Sequence, residues 1–144
     1  MLKGIPPVLS PELLKVLCEM GHSDTIVIGD GNFPACSVGK NSIVIRADGH
    51  TANELLDAIL TLFPLDTVPQ PAAIMDVLEG MPEPAIWREF EATLDRRCGL
   101  KPDAIRRIER FAFYEEAKKA YAVISTGETA AYGNIILSKG VVTF

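Results

Sequence analysis

The sequence predicts an α/β fold in which helices cover both faces of one central sheet. Short apolar runs, typical of strands buried on both faces, alternate along the chain with amphipathic helical segments. Hydrophobic residues make up 48% of the chain, which is enough for a substantial core and excludes a disordered protein. A length of 144 residues matches one domain, so we expect a single domain over residues 1–144.

The first part of the chain predicts a helix followed by two strands. Ser10 and Pro11 mark the helix start, because serine caps free backbone N–H groups and proline is favoured at the first helical position. We expect Gly21 to end this helix in a left-handed conformation. The nearly all-apolar run 25–29 predicts a strand buried on both faces, and residues 42–46 predict a second strand.

The middle of the chain opens with a capping box. Thr51 and Glu54 have the spacing that starts a helix, and Pro64 is expected to end it. The apolar stripe of this helix consists of Leu55, Leu56, Ile59, Leu60 and Phe63. Residues 72–78 fit a strand or a helix, and we favour the strand. Apolar residues spaced by four then predict a helix over residues 84–99.

The last third predicts one more helix among several strands. Residues 104–110 alternate isoleucines with charges, which indicates a strand with one wetter face that Arg110 ends. A helix follows over residues 113–120, with Glu115 and Lys119 paired four residues apart. Three further apolar runs predict strands at residues 121–124, 134–137 and 141–144.

Composition excludes several classes of function. The 14 Lys and Arg against 19 Asp and Glu leave a net charge of −5 without a basic cluster, so we expect no nucleic-acid partner. No apolar run approaches the roughly 18–20 residues of a membrane helix, and no apolar signal segment opens the chain, so we expect no membrane partner. Three cysteines without metal or disulfide spacing fit the cytoplasm. Nucleotide, phosphate and zinc motifs are missing, so we expect neither cofactor nor metal.

Polar residues at the ends of the predicted strands are the candidate site. Ligands of such sheets bind at the carboxyl ends of strands, which selects Asp30, Asp48 and the loop after Ile124. His22 lies between a helix and a buried strand, and histidine is the side chain best suited to exchange protons near neutral pH. The only other histidine, His50, is expected to be a turn residue.

Each candidate also has a purely structural explanation. A histidine after a helix can be a surface or capping group, and an aspartate after a strand can cap its own loop. Asp66 and the segment from Tyr132 to Asn134 fit ordinary turns. Arg110 fits a solvated cation over an aromatic cluster, and Tyr114 fits the core.

Taken together, eight segments carry a stronger signal. They are Ser10-Pro11-Glu12-Leu13-Leu14, Met20-Gly21-His22-Ser23-Asp24, Gly29-Asp30 with Asn32-Phe33-Pro34, Ile45-Arg46-Ala47-Asp48-Gly49, Pro64-Leu65-Asp66, Glu109-Arg110-Phe111-Ala112-Phe113-Tyr114-Glu115, Thr126-Gly127-Glu128, and Tyr132-Gly133-Asn134-Ile135-Ile136-Leu137. Their order and spacing resemble the fucose mutarotase and ribose pyranase family over essentially the whole chain. The run from Arg110 to Tyr114 favours the fucose mutarotase branch.

The resemblance implies roles for the candidate residues. It assigns His22 as proton donor, Asp66 and Tyr114 as further catalytic groups, and Asp30, Arg110, Tyr132, Gly133 and Asn134 as the sugar-binding set. The implied reaction interconverts the α and β anomers of L-fucose by opening and reclosing the sugar ring. One group protonates the ring oxygen while another removes the proton of the anomeric hydroxyl. This chemistry needs no cofactor, in agreement with the missing motifs.

The resemblance also implies a ring-shaped homodecamer with sites shared between neighbouring subunits. Two other functions stay open at this point. A ribose-type pyranase would interconvert pyranose and furanose forms through the same open-chain aldehyde. A non-catalytic monosaccharide-binding protein would keep the pocket alone, although His22 argues against it because binding needs no titrating donor.

Overall fold

Six short strands form one mixed sheet in the computed structural model, which describes residues 1–144. The strands are β1 (Thr25–Gly29), β2 (Ile43–Ala47), β3 (Ala72–Met75), β4 (Ile105–Ile108), β5 (Ala122–Thr126) and β6 (Ile135–Ser138). Their order across the sheet is β2-β5-β1-β6-β3-β4. Strands β1 to β5 share one direction, because only β6 pairs antiparallel, with β1 on one side and β3 on the other.

Helices cover both faces of this sheet, which confirms the predicted α/β class. They are α1 (Pro11–Glu19), α2 (Ala35–Val38), α3 (Ala52–Ile59), α4 (Ala85–Cys98) and α5 (Arg110–Ala117), with one 3₁₀ turn at Pro102–Ala104. Successive side chains of a strand point to opposite faces. Ile26 and Ile28 therefore pack with α1, α3 and α4, whereas Val27 packs with α2 and α5. None of the helices combines the length and the apolar character that crossing a membrane requires.

The shared strand direction gives the sheet two chemically distinct ends. At one end, here called the carboxyl end, strands β1 to β5 finish and β6 begins. At the other, the amino end, strands β1 to β5 begin and β6 finishes. Loops that follow β1 and loops that precede it are thus held at opposite ends of a rigid core.

The turn after α1 differs from the prediction. Gly21 does not adopt a left-handed conformation, and the left-handed residue is Ser23, with φ of 71°. The carboxylate of Asp24 accepts a hydrogen bond from the Gly21 N–H at 2.7 Å, which closes the turn over residues 21–24. A side-chain hydrogen bond, rather than the conformational freedom of glycine, shapes this turn.

Helix α3 begins at the predicted capping box but ends earlier than expected. Thr51 and Glu54 exchange both hydrogen bonds of the box, as predicted. The helix ends at Ile59, with Leu60 as its cap, because the N–H groups of Thr61 and Leu62 bond to carbonyls three residues back instead of four. All five residues of the predicted apolar stripe are nevertheless buried.

The C-terminal third contains three corrections. Helix α5 begins at Arg110, which the sequence placed at a strand end, because the Glu109 carboxylate accepts the free N–H groups of the first turn. Glu115 pairs with Lys118 at 2.7 Å rather than with Lys119. The predicted strand at 141–144 does not form.

The short helix α2, in the first part of the chain, was not predicted, since four residues are too few for a periodic pattern.

We predict that Phe90→Ala lowers the free energy of unfolding by about 3–5 kcal/mol, because Phe90 is fully buried where α4 meets the sheet and truncation leaves a cavity. Urea unfolding followed by circular dichroism measures the change. Glu89→Ala, at an exposed position of the same helix, is the matched control and should stay within about 0.5 kcal/mol of the parent chain. Equal losses in the two variants would contradict this prediction.

Candidate active site

An imidazole and a carboxylate meet at the amino end of the sheet. His22, in the turn between α1 and β1, places its Nε2 3.3 Å from Oδ1 of Asp66, in the loop between α3 and β3. The His22 side chain is 57% exposed, whereas that of Asp66 is 6% exposed. An exposed imidazole thus lies against a nearly buried carboxylate, and Nε2 is the ring nitrogen that makes the contact.

The hydrogen bonds around Asp66 favour its ionised form. Its Oδ1 accepts the Thr67 N–H at 2.8 Å, and the Ser138 hydroxyl donates to Oδ2 at 3.4 Å. Donation from Thr67, followed by the contact with His22 and the Ser138 hydroxyl, holds the pKa of Asp66 below its ordinary value despite opposing desolvation. A carboxylate that remains charged can orient the imidazole through their hydrogen bond.

A second polar group lies at the carboxyl end, directly after β1. Asp30 is 5% exposed, and its N–H donates to Oδ1 of Asn134 at 2.8 Å. Its own Oδ1 accepts the Asn32 N–H at 2.9 Å. Burial raises the pKa of Asp30, although hydrogen bonds to its carboxylate from the Asn32 backbone and the Asn134 side chain oppose the shift. A buried carboxylate beside a buried amide is suited to binding the hydroxyls of a neutral ligand.

Glu128 organises the loop that joins β5 to β6 at this end. Its carboxylate accepts the Ala52 N–H, at the start of α3, at 3.2 Å and the Ala130 N–H at 2.9 Å. Its carbonyl accepts the Gly31 N–H at 2.8 Å. The loops after β1 and β5 are therefore tied to each other and to α3.

Tyr132 and Gly133 bring this loop back to β6 in a constrained conformation. Tyr132 has φ of 61°, a left-handed value that is unusual for a non-glycine residue. The Trp87 indole N–H donates to the Tyr132 carbonyl at 3.4 Å and supports that conformation. A Cβ at Gly133 would lie 2.9 Å from Cγ of Glu128, so this position requires glycine.

Aromatic side chains and one arginine complete the carboxyl end. The Tyr114 ring lies 5.7 Å from that of Phe33, in the loop after β1. Arg110 is exposed, and its guanidinium lies 4.7 Å from the centroid of the Phe111 ring. Because α5 starts where β4 ends, both Arg110 and Tyr114 belong to this end of the sheet.

The structure thus divides the predicted site residues into two groups. His22 and Asp66 lie at the amino end, and Asp30, Arg110, Tyr114, Tyr132, Gly133 and Asn134 lie at the carboxyl end. Six residue steps along β1 separate Asp24 from Asp30, or roughly 20 Å at about 3.3 Å per residue. Asp66 therefore reaches His22 within one chain, whereas Tyr114 and Asp30 do not.

Two other predicted positions have plain structural roles. Asp48 forms an exposed bidentate pair with Arg46 at 2.8 and 3.0 Å. The carbonyl of His50 accepts the Gly127 N–H, and its ring lies 3.8 Å from Glu54, so His50 is a turn residue as expected. No three His, Cys, Asp or Glu side chains lie close enough together to hold a metal ion.

Sequence reasoning did not single out some of the residues that shape the two ends. Met75 ends β3, and its sulfur lies 3.8 Å from Nδ2 of Asn134. Trp87 and Ser138 contact Tyr132 and Asp66 as described above. Their positions in apolar periodic segments indicate core or strand residues only, because the hydrogen bonds they make depend on segments distant in sequence.

Comparison with known proteins gives full-length matches. The fucose mutarotase of Danio rerio is 53% identical over 147 residues, which cover 98% of this chain and 94% of that protein. The structure of FucU from Bifidobacterium longum superposes with a TM-score of 0.94 at 56% identity, covering 98% of this chain and all of that one.

A third match is a structure with a bound sugar. The fucose mutarotase of Streptococcus pneumoniae, solved in complex with L-fucose, is 46% identical with a TM-score of 0.93, covering 99% of this chain and all of that one. The model of the RbsD / FucU transport protein family matches residues 3–142. The family model and both structural matches extend over nearly the whole chain, which therefore belongs to the RbsD / FucU transport protein family.

Proposed function

We propose that this protein is an L-fucose mutarotase, an isomerase that interconverts the α and β anomers of L-fucose and of related pyranoses. The observation that carries the proposal is the contact between His22 and Asp66, an acid–base pair in a chain 53% identical to a fucose mutarotase. The likeness to a mutarotase solved with L-fucose supports the same substrate.

The proposed reaction transfers protons and no other group. His22 donates a proton to the ring oxygen as the bond between that oxygen and the anomeric carbon breaks. A base removes the proton of the anomeric hydroxyl, which becomes the carbonyl oxygen of the open aldehyde. Rotation about the adjacent carbon–carbon bond presents the other face, and the reverse transfers close the ring. Asp66 orients His22, and Tyr114 is a second catalytic hydroxyl.

The carboxyl end supplies the sugar-binding groups of the proposal. The buried carboxylate of Asp30 and the amide of Asn134 face hydroxyls, and Arg110 donates further hydrogen bonds. Tyr132 covers the apolar face of the pyranose ring, and Gly133 lets the backbone approach it closely.

A complete site then requires two subunits. His22 of the partner subunit reaches the carboxyl end of this chain, since roughly 20 Å of strand separates the two groups within one subunit. Exposed apolar side chains at both ends support such contacts, with Val141 and Val142 near the amino end and Phe111 near the carboxyl end. Head-to-tail contacts of this kind close into rings, and we propose a ring-shaped homodecamer.

Two further parts of the proposal concern the whole chain. Residues 1–144 act as one mutarotase domain, because all six strands belong to one sheet. The protein works in the cytoplasm, where its three free, exposed cysteine thiols stay reduced.

We expect the wild-type protein to accelerate anomeric exchange of L-fucose, and His22→Asn to lower that rate by about 10²–10⁴-fold because the proton donor is lost. Exchange NMR of the anomeric protons measures both rates. His50→Asn is the matched control and retains full activity. Unchanged exchange in the presence of the wild-type protein would refute the mutarotase, and a parallel assay with D-ribose tests pyranase activity.

Mixing two impaired variants tests the shared site. We expect His22→Asn and Asp30→Asn subunits, refolded together in equal amounts, to recover wild-type activity at about a quarter of their sites, because a random ring pairs two intact halves at that frequency. At L-fucose concentrations below the KM of Asp30→Asn, each variant refolded alone keeps only its low residual rate. No recovery in mixed oligomers, verified by mass spectrometry, would place the whole site within one subunit.

Asp30→Asn should separate stability from activity. Because burial raises the pKa of Asp30, the folded state binds its proton more tightly than the unfolded state, and the stabilisation this proton provides is lost as pH rises through the folded pKa. The variant is therefore at least as thermostable as the parent at pH 7, and this advantage in thermal stability shrinks toward pH 4.

The KM of Asp30→Asn for L-fucose rises about tenfold or more, because a hydrogen-bond acceptor for the sugar hydroxyls is weakened. Thermal melts across pH and exchange kinetics measure the two effects, and a variant less stable at pH 7 than at pH 4, relative to the parent, would contradict them.

A further inference from the structure

The turn that carries His22 is attached to the residue after β6. The Ser23 N–H donates to the Lys139 carbonyl at 2.8 Å, and the Lys139 N–H donates to the Asp24 carbonyl at 2.9 Å. These two bonds bracket the segment that immediately follows His22. Its position relative to the sheet therefore depends on the backbone of Lys139.

The Lys139 side chain holds the other flank of the same turn. Its ammonium donates to the carbonyl of Leu17 at 2.8 Å and to that of Met20. These carbonyls belong to the end of α1, where free acceptors and the negative end of the helix dipole favour a cation. Helix α1 has no basic residue in its own last turn, so Lys139 supplies that charge from a distant segment.

The same short segment also holds Asp66. The Asp66 N–H donates to the Ser138 carbonyl at 3.0 Å, and Leu65 forms an isolated bridge with Lys139. The Gly140 N–H donates to the Pro64 carbonyl at 2.7 Å. The segments that carry the two partners of the acid–base pair are thus both hydrogen-bonded to the backbone of residues 138–140.

We propose that Lys139 is a positioning residue for catalysis: its ammonium fixes the end of α1 so that the His22 imidazole stays against Asp66. This inference rests on the proposed mutarotase function. The exposed His22 side chain has one polar contact, with Asp66, so its backbone turn decides where the ring lies. A displacement on the order of 1 Å at such a group can reduce a rate by up to about 10²-fold.

Kinetic constants separate this role from sugar binding. Lys139→Met keeps the aliphatic stem and removes the charge, so kcat for L-fucose exchange should fall about tenfold or more. KM should stay within about twofold, because the sugar-binding groups lie at the opposite end of the sheet. Lys139→Arg, which can still donate to both carbonyls, should recover most of kcat. Lys118→Met, at an exposed lysine that follows α5, is the control and keeps wild-type kinetics.

A double-mutant cycle tests whether Lys139 acts through the pair. If it does, Lys139→Met combined with Asp66→Asn loses little more activity than Asp66→Asn alone. Independent structural damage would instead multiply the two losses and overturn the proposal, as would an unchanged kcat in Lys139→Met.

If Lys139→Met is unfolded at the assay temperature, Lys139→Gln is decisive: a lowered kcat with unchanged KM supports the proposal, and wild-type kcat refutes it. Absence of exchange in the wild-type protein would refute the mutarotase itself, so the two failures remain distinct.

Discussion

The central strand β1 is the constraint on which the rest of this structure depends. It is hydrogen-bonded on both sides, in parallel to β5 and antiparallel to β6, and Ile26, Val27 and Ile28 are completely buried. A shift of this strand by one residue would break its hydrogen bonds to both neighbours and move every side chain into the packing of the opposite face, so its register is fixed. The two loops at its ends are therefore held a fixed distance apart, and so are the acid–base pair and the sugar-binding groups.

The two aspartates at these ends have opposite electrostatic environments. Hydrogen bonds from Thr67 and His22 hold the pKa of Asp66 down, whereas burial raises the pKa of Asp30. Groups of one chemical type whose pKa values are moved apart are typical of sites in which they have different tasks. An Asp66 whose pKa is lowered is ionised at neutral pH and suits the orientation of a proton donor. A desolvated Asp30 suits strong hydrogen bonding to an uncharged sugar. Burying its ionised carboxylate lowers the stability of the folded protein, a loss typical of residues placed for binding.

Local sequence patterns predicted most of the fold but not its exact boundaries. The capping box at Thr51 and the end of α4 at Gly99 are signals within a few residues. The box is present as expected, and α4 ends at Cys98 with Gly99 as its left-handed cap. The turn after α1 and the start of α5 were misplaced because the carboxylates of Asp24 and Glu109 form hydrogen bonds that override the default signals of glycine and of strand alternation. Residues 141–144 do not form a strand, because none of the six strands of the sheet pairs with this apolar run.

The sequence by itself determined the fold class, the family, and the residue types of an acid–base and sugar-binding chemistry, because these depend on composition, periodicity and short motifs. Only the tertiary structure decided which of those residues meet. Asp66 joins His22 across 44 positions, and Lys139 reaches the end of α1 from more than 115 positions away. The direction of the strands, which no local pattern specifies, places Asp30 and Tyr114 at the opposite end. Chain direction within the sheet is settled by pairing between distant segments, and for this reason the division of the site into two halves is visible only in three dimensions.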